Sequence, residues 1–351
     1  MRGWKAGLCA LGMLAACSQV RPQPGESRLY VFSLEESVFH ELGADLTEVG
    51  TIPFSVPQGC AMGTVNPAPR GPRLAIELSC TFGPAVVWLD VQTSAAEQAI
   101  TTSDSHFLAW APTGEAAYLK IDSVNRPRVV RVDLDGHQEA LDISEYTYDL
   151  APSPDGTGFV FSFSRGMGLG SEMWFARGEG GGLERLAADE ENYVAFARWS
   201  PDGARIAFIK IPDSPTPFTV GELWVMRADG TEARLMASAD AGHGFAPAWS
   251  PDGTRIAFIA RENVEDPSAD VSSSALISNL HMVDLRDGSV VRLTDYPNQR
   301  VTSPAWQPNG EAIAFSVGLD DKMAVLVHEV GSRETQQVPL KWICCPSWLN
   351  R

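Results

Sequence analysis

The sequence predicts an all-β chain built from repeated four-stranded units. Three observations predict it. A tryptophan followed by Ser-Pro-Asp-Gly, and then by Ile-Ala-Phe, recurs along the chain. The copies recur with a period in the forties, the spacing of four short strands and their turns. No stretch alternates a strand with a long helix, which disfavours a doubly wound α/β fold. The 31 glycines and 24 prolines are spread along the 351 residues, as many short elements joined by tight turns require. At 44% hydrophobic and 20% charged, the chain has the composition of a globular protein rather than a disordered one. Its formal charge of −17 gains nothing from phosphate counterion release, so no nucleic-acid partner is expected.

The first element is an address. Arg2 and Lys5 precede an apolar run, Ala6 to Ala16, which is too short to span a bilayer and has the layout of a secretory signal. The run ends Leu14-Ala15-Ala16-Cys17, which resembles the lipobox of bacterial lipoproteins. The resemblance implies cleavage after residue 16 and lipidation of Cys17. It also implies outer-membrane sorting in a Gram-negative-type envelope, because Ser18 rather than Asp follows the cysteine. The alternative is an ordinary secretory signal with a chance cysteine. Residues 17–27 then read as a lipidated cysteine and polar tether, with Pro22, Pro24 and Gly25. Membrane contact is expected through the lipid anchor only.

Residues 28–351 read as one repeat domain. Trp199-Ser-Pro-Asp-Gly-Ala-Arg-Ile-Ala-Phe-Ile209 and Trp249-Ser-Pro-Asp-Gly-Thr-Arg-Ile-Ala-Phe-Ile259 are nearly identical. Weaker copies begin at Trp110, Pro152 and Trp306, a degenerate one at Val65, and a truncated one at Trp348. Pro sets φ for the second position of a turn, Asp bonds back to local backbone, and Gly accepts positive φ. The motif therefore makes a tight hairpin, with the Trp strand (A) and the Ile-Ala-Phe strand (B) as antiparallel neighbours. Strands C and D follow, for example Glu222 to Arg227 and Glu232 to Met236 around an Asp229-Gly230 turn. This content suits the blades of a β-propeller. The repeat resembles the TolB-type, WD-like propeller repeat of bacterial envelope proteins over about residues 28–350. TolB itself has a separate α/β domain before its propeller. Only a tether precedes the repeats here, so the resemblance is to the repeat and not to TolB as a whole.

Six A–B hairpins are complete, and a seventh A strand, Ile343 to Trp348, has no B strand after it. The chain start supplies one. Val38-Phe-His-Glu-Leu-Gly43 resembles Leu326-Val-His-Glu-Val-Gly331, so Arg28–Ser33, Val38–Leu42 and Leu46–Ile52 read as strands B, C and D. A last blade combining both chain ends makes seven, and it protects both sheet edges. Six blades, with residues 28–56 elsewhere, is the alternative.

Four cysteines remain after Cys9 and Cys17 are assigned to the leader. Cys60 opens one A strand and Cys80 ends its B strand, so they are a candidate disulfide. Cys344 and Cys345 are adjacent, and a bond between neighbours is rare and strained. Vicinal disulfides line ligand sites in some propellers. Free thiols, or Cys60 bonded to one of the pair, are the alternatives.

No catalytic set emerges. Gly-x-Ser-x-Gly, His-Glu-x-x-His, a phosphate loop, an EF-hand loop and Cys-x-x-Cys are all absent from the sequence. No cofactor or metal is expected. The six histidines, at 40, 106, 137, 243, 281 and 328, are scattered; His106 and His243 precede their Trp and are candidates to face a central channel. Asp155, Asp202 and Asp252 are explained by their turns. In a propeller the B–C and D–A loops share one face. Three B–C loops are long: Arg165–Ser171, Ile211–Gly221 and Arg261–Ser278. They carry Arg165, Asp213, Glu262, Glu265, Asp266 and Asp270, the candidate binding residues, since insertions on one face of a rigid scaffold concentrate binding. The expected function is a non-enzymatic, envelope-anchored scaffold that binds a protein or glycan of the envelope. The alternative is an enzyme, a metal-dependent hydrolase or lyase with its site at the channel.

Overall fold

A computed structural model describes residues 27–98, 104–122, 127–240, 246–319 and 322–350. The leader, Cys17 and the tether up to residue 26 lie outside the described residues. The chain folds into seven four-stranded antiparallel sheets, each a blade of one propeller. Blade 1 takes its A strand from the C-terminus (Ile343–Asn350) and its B, C and D strands from Ser27–Ser33, Val38–Leu42 and Glu48–Pro53. Leu29 pairs with Trp348 and Phe32 with Cys344, so the ring closes between the two chain ends. The D strand starts two residues later than the sequence suggests. Leu46 has φ +61° and sits buried in the C–D turn, where the Gly43 N–H bonds the Thr47 carbonyl.

The A strands of blades 2 to 7 are Cys60–Pro67, Ser105–Trp110, Thr147–Pro152, Asn192–Trp199, Ala248–Trp249 and Val301–Trp306. The turn of each Ser-Pro-Asp-Gly copy closes on its own side chains. The Ser153 hydroxyl donates to Asp155 Oδ1 at 2.7 Å, which also accepts the Thr157 N–H at 3.0 Å. Gly156, Gly203 and Gly253 supply the positive φ, at 72°, 70° and 69°. The hydroxyl of Ser153 holds the Asp155 carboxyl below the usual carboxylate range.

The B strands show why the motif reads Ile-Ala-Phe-Ile rather than alternating with polar residues. Ile206 and Phe208 pack towards blade 4, among Ala151, Val160 and Met173. Ala207 and Ile209 face the other way, into blade 6, among Ile256, Phe258 and Val283. Both faces of an inner strand are buried, so both carry apolar residues. The tryptophans latch the seams. Nε1 of Trp110, Trp199, Trp249 and Trp306 donates to the backbone carbonyl of Asn66, Ala151, Arg198 and Ala248 in the preceding blade, at 2.9 to 3.0 Å. Trp348, at the closing seam, is buried with its Nε1 unbonded. That seam is held instead by apolar packing, with Leu29, Val31 and Trp348 of blade 1 against Ala314, Val325 and Val327 of blade 7.

Candidate functional site

The three long B–C loops form one connected ledge over blades 4, 5 and 6. Asp213 Oδ2 accepts the Gly170 N–H at 3.0 Å, tying the loop of blade 5 to that of blade 4. The Phe218 N–H bonds the Asp270 carbonyl at 3.1 Å, tying it to the loop of blade 6. Arg261 organises this last loop. Its side chain is fully buried and donates to the carbonyls of Asn263, Asp266 and Phe218 and to Asp270 Oδ1 at 2.8 Å. The loop contains a one-turn helix, Ser268–Val271, and a 3-10 turn, Ser273–Ala275, neither of which the sequence announced.

The candidate binding residues divide accordingly. Asp213 and Asp270 are tie points of the ledge. Asp266 caps Ser268 within its own loop, and hydrogen bonds from the Ser268 hydroxyl and N–H hold its carboxyl below the usual range. Glu262 is bridged by His281 at 3.0 Å and Arg292 at 3.3 Å. Arg165 lies 3.8 Å from Glu190 and 3.9 Å from Glu172. Glu265 is exposed. The bonded carboxylates chiefly shape the ledge, and its outward surface carries large apolar side chains. Met167 is 95% exposed and Val271 68%, with Leu169 and Val264 beside them in sequence. Leu34, Phe82, Tyr146 and Trp342 are exposed in other B–C and D–A loops of the same face. The remaining exposed large apolar residues, Val49, Leu183, Leu235, Val290 and Val291, lie on outer D strands. Among the described residues, none lies in the A–B or C–D turns of the opposite face.

The second feature is the central channel, a cavity of about 800 Å³ lined by residues of all seven blades. Six A strands break register with their B strands at this wall, at Cys345–Pro346, Gly63–Thr64, Leu108, Tyr148, Phe196–Ala197 and Ser303–Pro304. Such bulges turn side chains out of the ladder. Phe196, Ser303 and Cys345 take positive φ there, at 57°, 54° and 63°. Asp149 is buried in the wall. Its Oδ2 accepts the Ala197 N–H at 2.7 Å, and Arg198 Nη1 lies 3.5 Å from Oδ1. Burial pushes its carboxyl above the usual range, against the pull of Arg198. Glu77, also on the wall, holds His106 Nδ1 at 3.0 Å, and this bond raises the His106 pKa. His106 thus stands behind a channel carboxylate. His243 lies outside the described residues.

Cys60 is joined to Cys80, and Cys344 to Cys345. Cys344 belongs to an apolar cluster with Phe32, Phe39 and Leu78, against which Cys60, Cys80 and Cys345 also pack. Among the described residues, the three ligand-type side chains close enough to share an ion are Asp133, Asp135 and His137. They sit in the C–D turn of blade 3, away from the channel. Asp133 Oδ1 is already engaged by two backbone N–H groups.

No protein-family model matches the chain, and no curated protein matches it. Solved structures do. TolB from Acinetobacter baumannii matches with a TM-score of 0.53 at 13% identity, over 92% of this chain and 66% of that one. The fold is a TolB-like β-propeller. An oligogalacturonate lyase in complex with manganese matches with a TM-score of 0.58 at 12% identity, over 88% and 92%. A puromycin-hydrolysing peptidase of Mycobacterium tuberculosis matches at 0.62 and 14%, over 90% of this chain and 52% of that one. At these identities the likeness is one of fold. It takes in TolB, a lyase and a peptidase alike, so function must be argued from the site.

Proposed function

We propose that the protein is an envelope-anchored binding scaffold, held through Cys17 to the outer membrane, whose B–C and D–A face takes a protein or glycan partner. The single observation that carries this is the asymmetry of the two faces. Among the described residues, the exposed large apolar side chains of the loops all sit on one of them, and four, Met167, Leu169, Val264 and Val271, sit on a ledge whose loops are cross-braced. Apolar side chains held out in water by an ordered scaffold mark interaction surfaces. Bracing lowers the entropy lost on binding.

The test is a crosslinking capture from cell envelopes. It compares the full chain with Met167→Ser, Leu169→Ser and Val271→Ser combined, each with and without Cys17. A discrete partner retained without Cys17 and lost with the triple substitution is expected, at unchanged melting temperature. Capture unaffected by the triple substitution would sink the assignment of this face.

A further inference from the structure

The two disulfides stand in different mechanical settings, and one of them faces the channel. We propose that Cys344–Cys345 is a thiol–disulfide exchange site, open to a small thiol that enters the central channel, while Cys60–Cys80 is structural. This stands independently of the loop-face reading above.

Three observations point there. First, Cys344, Cys345 and Pro346 are part of the wall of the 800 Å³ cavity. Cys344 is buried and Cys345 is half-buried, so the sulfur presented to the cavity is that of Cys345. Second, Cys345 holds φ at +63°, in the left-handed region that a residue with a Cβ adopts only at a cost. It does so inside a bulge, opposite Val31, where the ladder between Phe32–Cys344 and Tyr30–Ser347 is interrupted. Breaking the bond would free this residue to leave that conformation without loss of a ladder pair. Third, the bonds close very different loops. Cys60 and Cys80 are 20 residues apart and sit opposite each other at the end of a paired hairpin. That bond removes chain entropy from the unfolded state, and the folded hairpin holds its two sulfurs together. Cys344 and Cys345 are neighbours, so their bond restricts the unfolded chain hardly at all. The fold therefore favours the oxidised form of the first pair and gives little support to that of the second.

The chemistry balances with a small thiol as the only co-reactant. Its thiolate attacks Cys345 Sγ, the Cys344–Cys345 bond breaks, and a mixed disulfide forms on Cys345 as the Cys344 sulfur leaves and takes a proton. A second thiolate attacks the external sulfur of that mixed disulfide. The small disulfide departs, and Cys345 is released as a thiolate that takes a proton. The wall then carries two thiols. Cys345 lies beside the neighbouring blade, with its sulfur 3.8 Å from the Gly63 carbonyl, so exchange alters the channel where blades 1 and 2 meet.

The test uses the full chain purified without reductant. It is exposed to graded glutathione, then alkylated and peptide-mapped. Cys344 and Cys345 are expected to become alkylated at a glutathione concentration at least tenfold below that needed for Cys60 and Cys80, with the melting transition retained. Cys60→Ala with Cys80→Ala isolates the second pair. Should that variant fail to fold, the mapping of the unmodified chain still decides. Simultaneous reduction of both pairs overturns the proposal. So does reduction of Cys344–Cys345 only on unfolding, or Cys344 and Cys345 found as free thiols at the outset.

Discussion

His106 carries a pH signature that a single substitution can test. Its hydrogen bond to Glu77 raises its pKa above the ordinary histidine value, outweighing burial. A group with a raised folded pKa contributes stability that is fully present below its unfolded value of about 6.5 and is lost as pH rises through the folded one. Glu77→Gln is therefore expected to lower the melting temperature more at pH 6 than at pH 9. Equal losses at both values would show that Glu77 acts through packing alone. The turn aspartates show the opposite economy. Asp155, Asp202 and Asp252 were legible as turn residues because Ser-Pro-Asp-Gly specifies its own local bonds, and each accepts its Ser hydroxyl and a backbone N–H as the motif predicts.

Among the elements, the loop of blade 6 depends on one side chain. Arg261 is fully buried, and its guanidinium replaces water for several carbonyls that would otherwise be unsatisfied. Arg261→Met is expected to cost about 2–4 kcal/mol, since hydrogen bonds from a buried charged group are among the stronger ones and their loss leaves acceptors orphaned. The first site of limited proteolysis should move into 262–277. Urea unfolding and peptide mapping would check both, and an unchanged cleavage pattern would show that the ledge stands without Arg261. The sequence marked this loop by its length and its acids. It did not reveal that Asp213 and Asp270 tie neighbouring loops together, because Gly170 is brought to the Asp213 carboxylate, and Phe218 to the Asp270 carbonyl, only by the curvature of adjacent blades.

At the scale of the whole molecule, the ring is closed by the pairing of Ser27–Ser33 with Ile343–Asn350. Leu29, Phe32 and Trp348 are buried by that pairing. Four of the seams carry a tryptophan latch to the previous blade, but Trp348 has none, so the closing blade meets its predecessor through apolar packing and joins the two chain ends through its own strand pairing. A chain ending at Trp342 is expected to lose its cooperative melting transition and to bind an apolar dye. A preserved transition in calorimetry would mean that the ring closes without its last strand.

The sequence by itself determined the repeat and the turn chemistry, and it favoured seven blades closed by both chain ends over six. These depend on contacts between residues near in sequence, or on copies of one pattern, and a pattern can be read along a line. The tertiary structure alone decided which side chains face the channel and which loops meet. The bulges at Cys345, Gly63, Leu108, Tyr148, Phe196 and Ser303 fall at one level of six different blades, with no shared residue type to announce them. What they share is a place in the ring, where inner strands converge on an axis and must turn their backbones to fit.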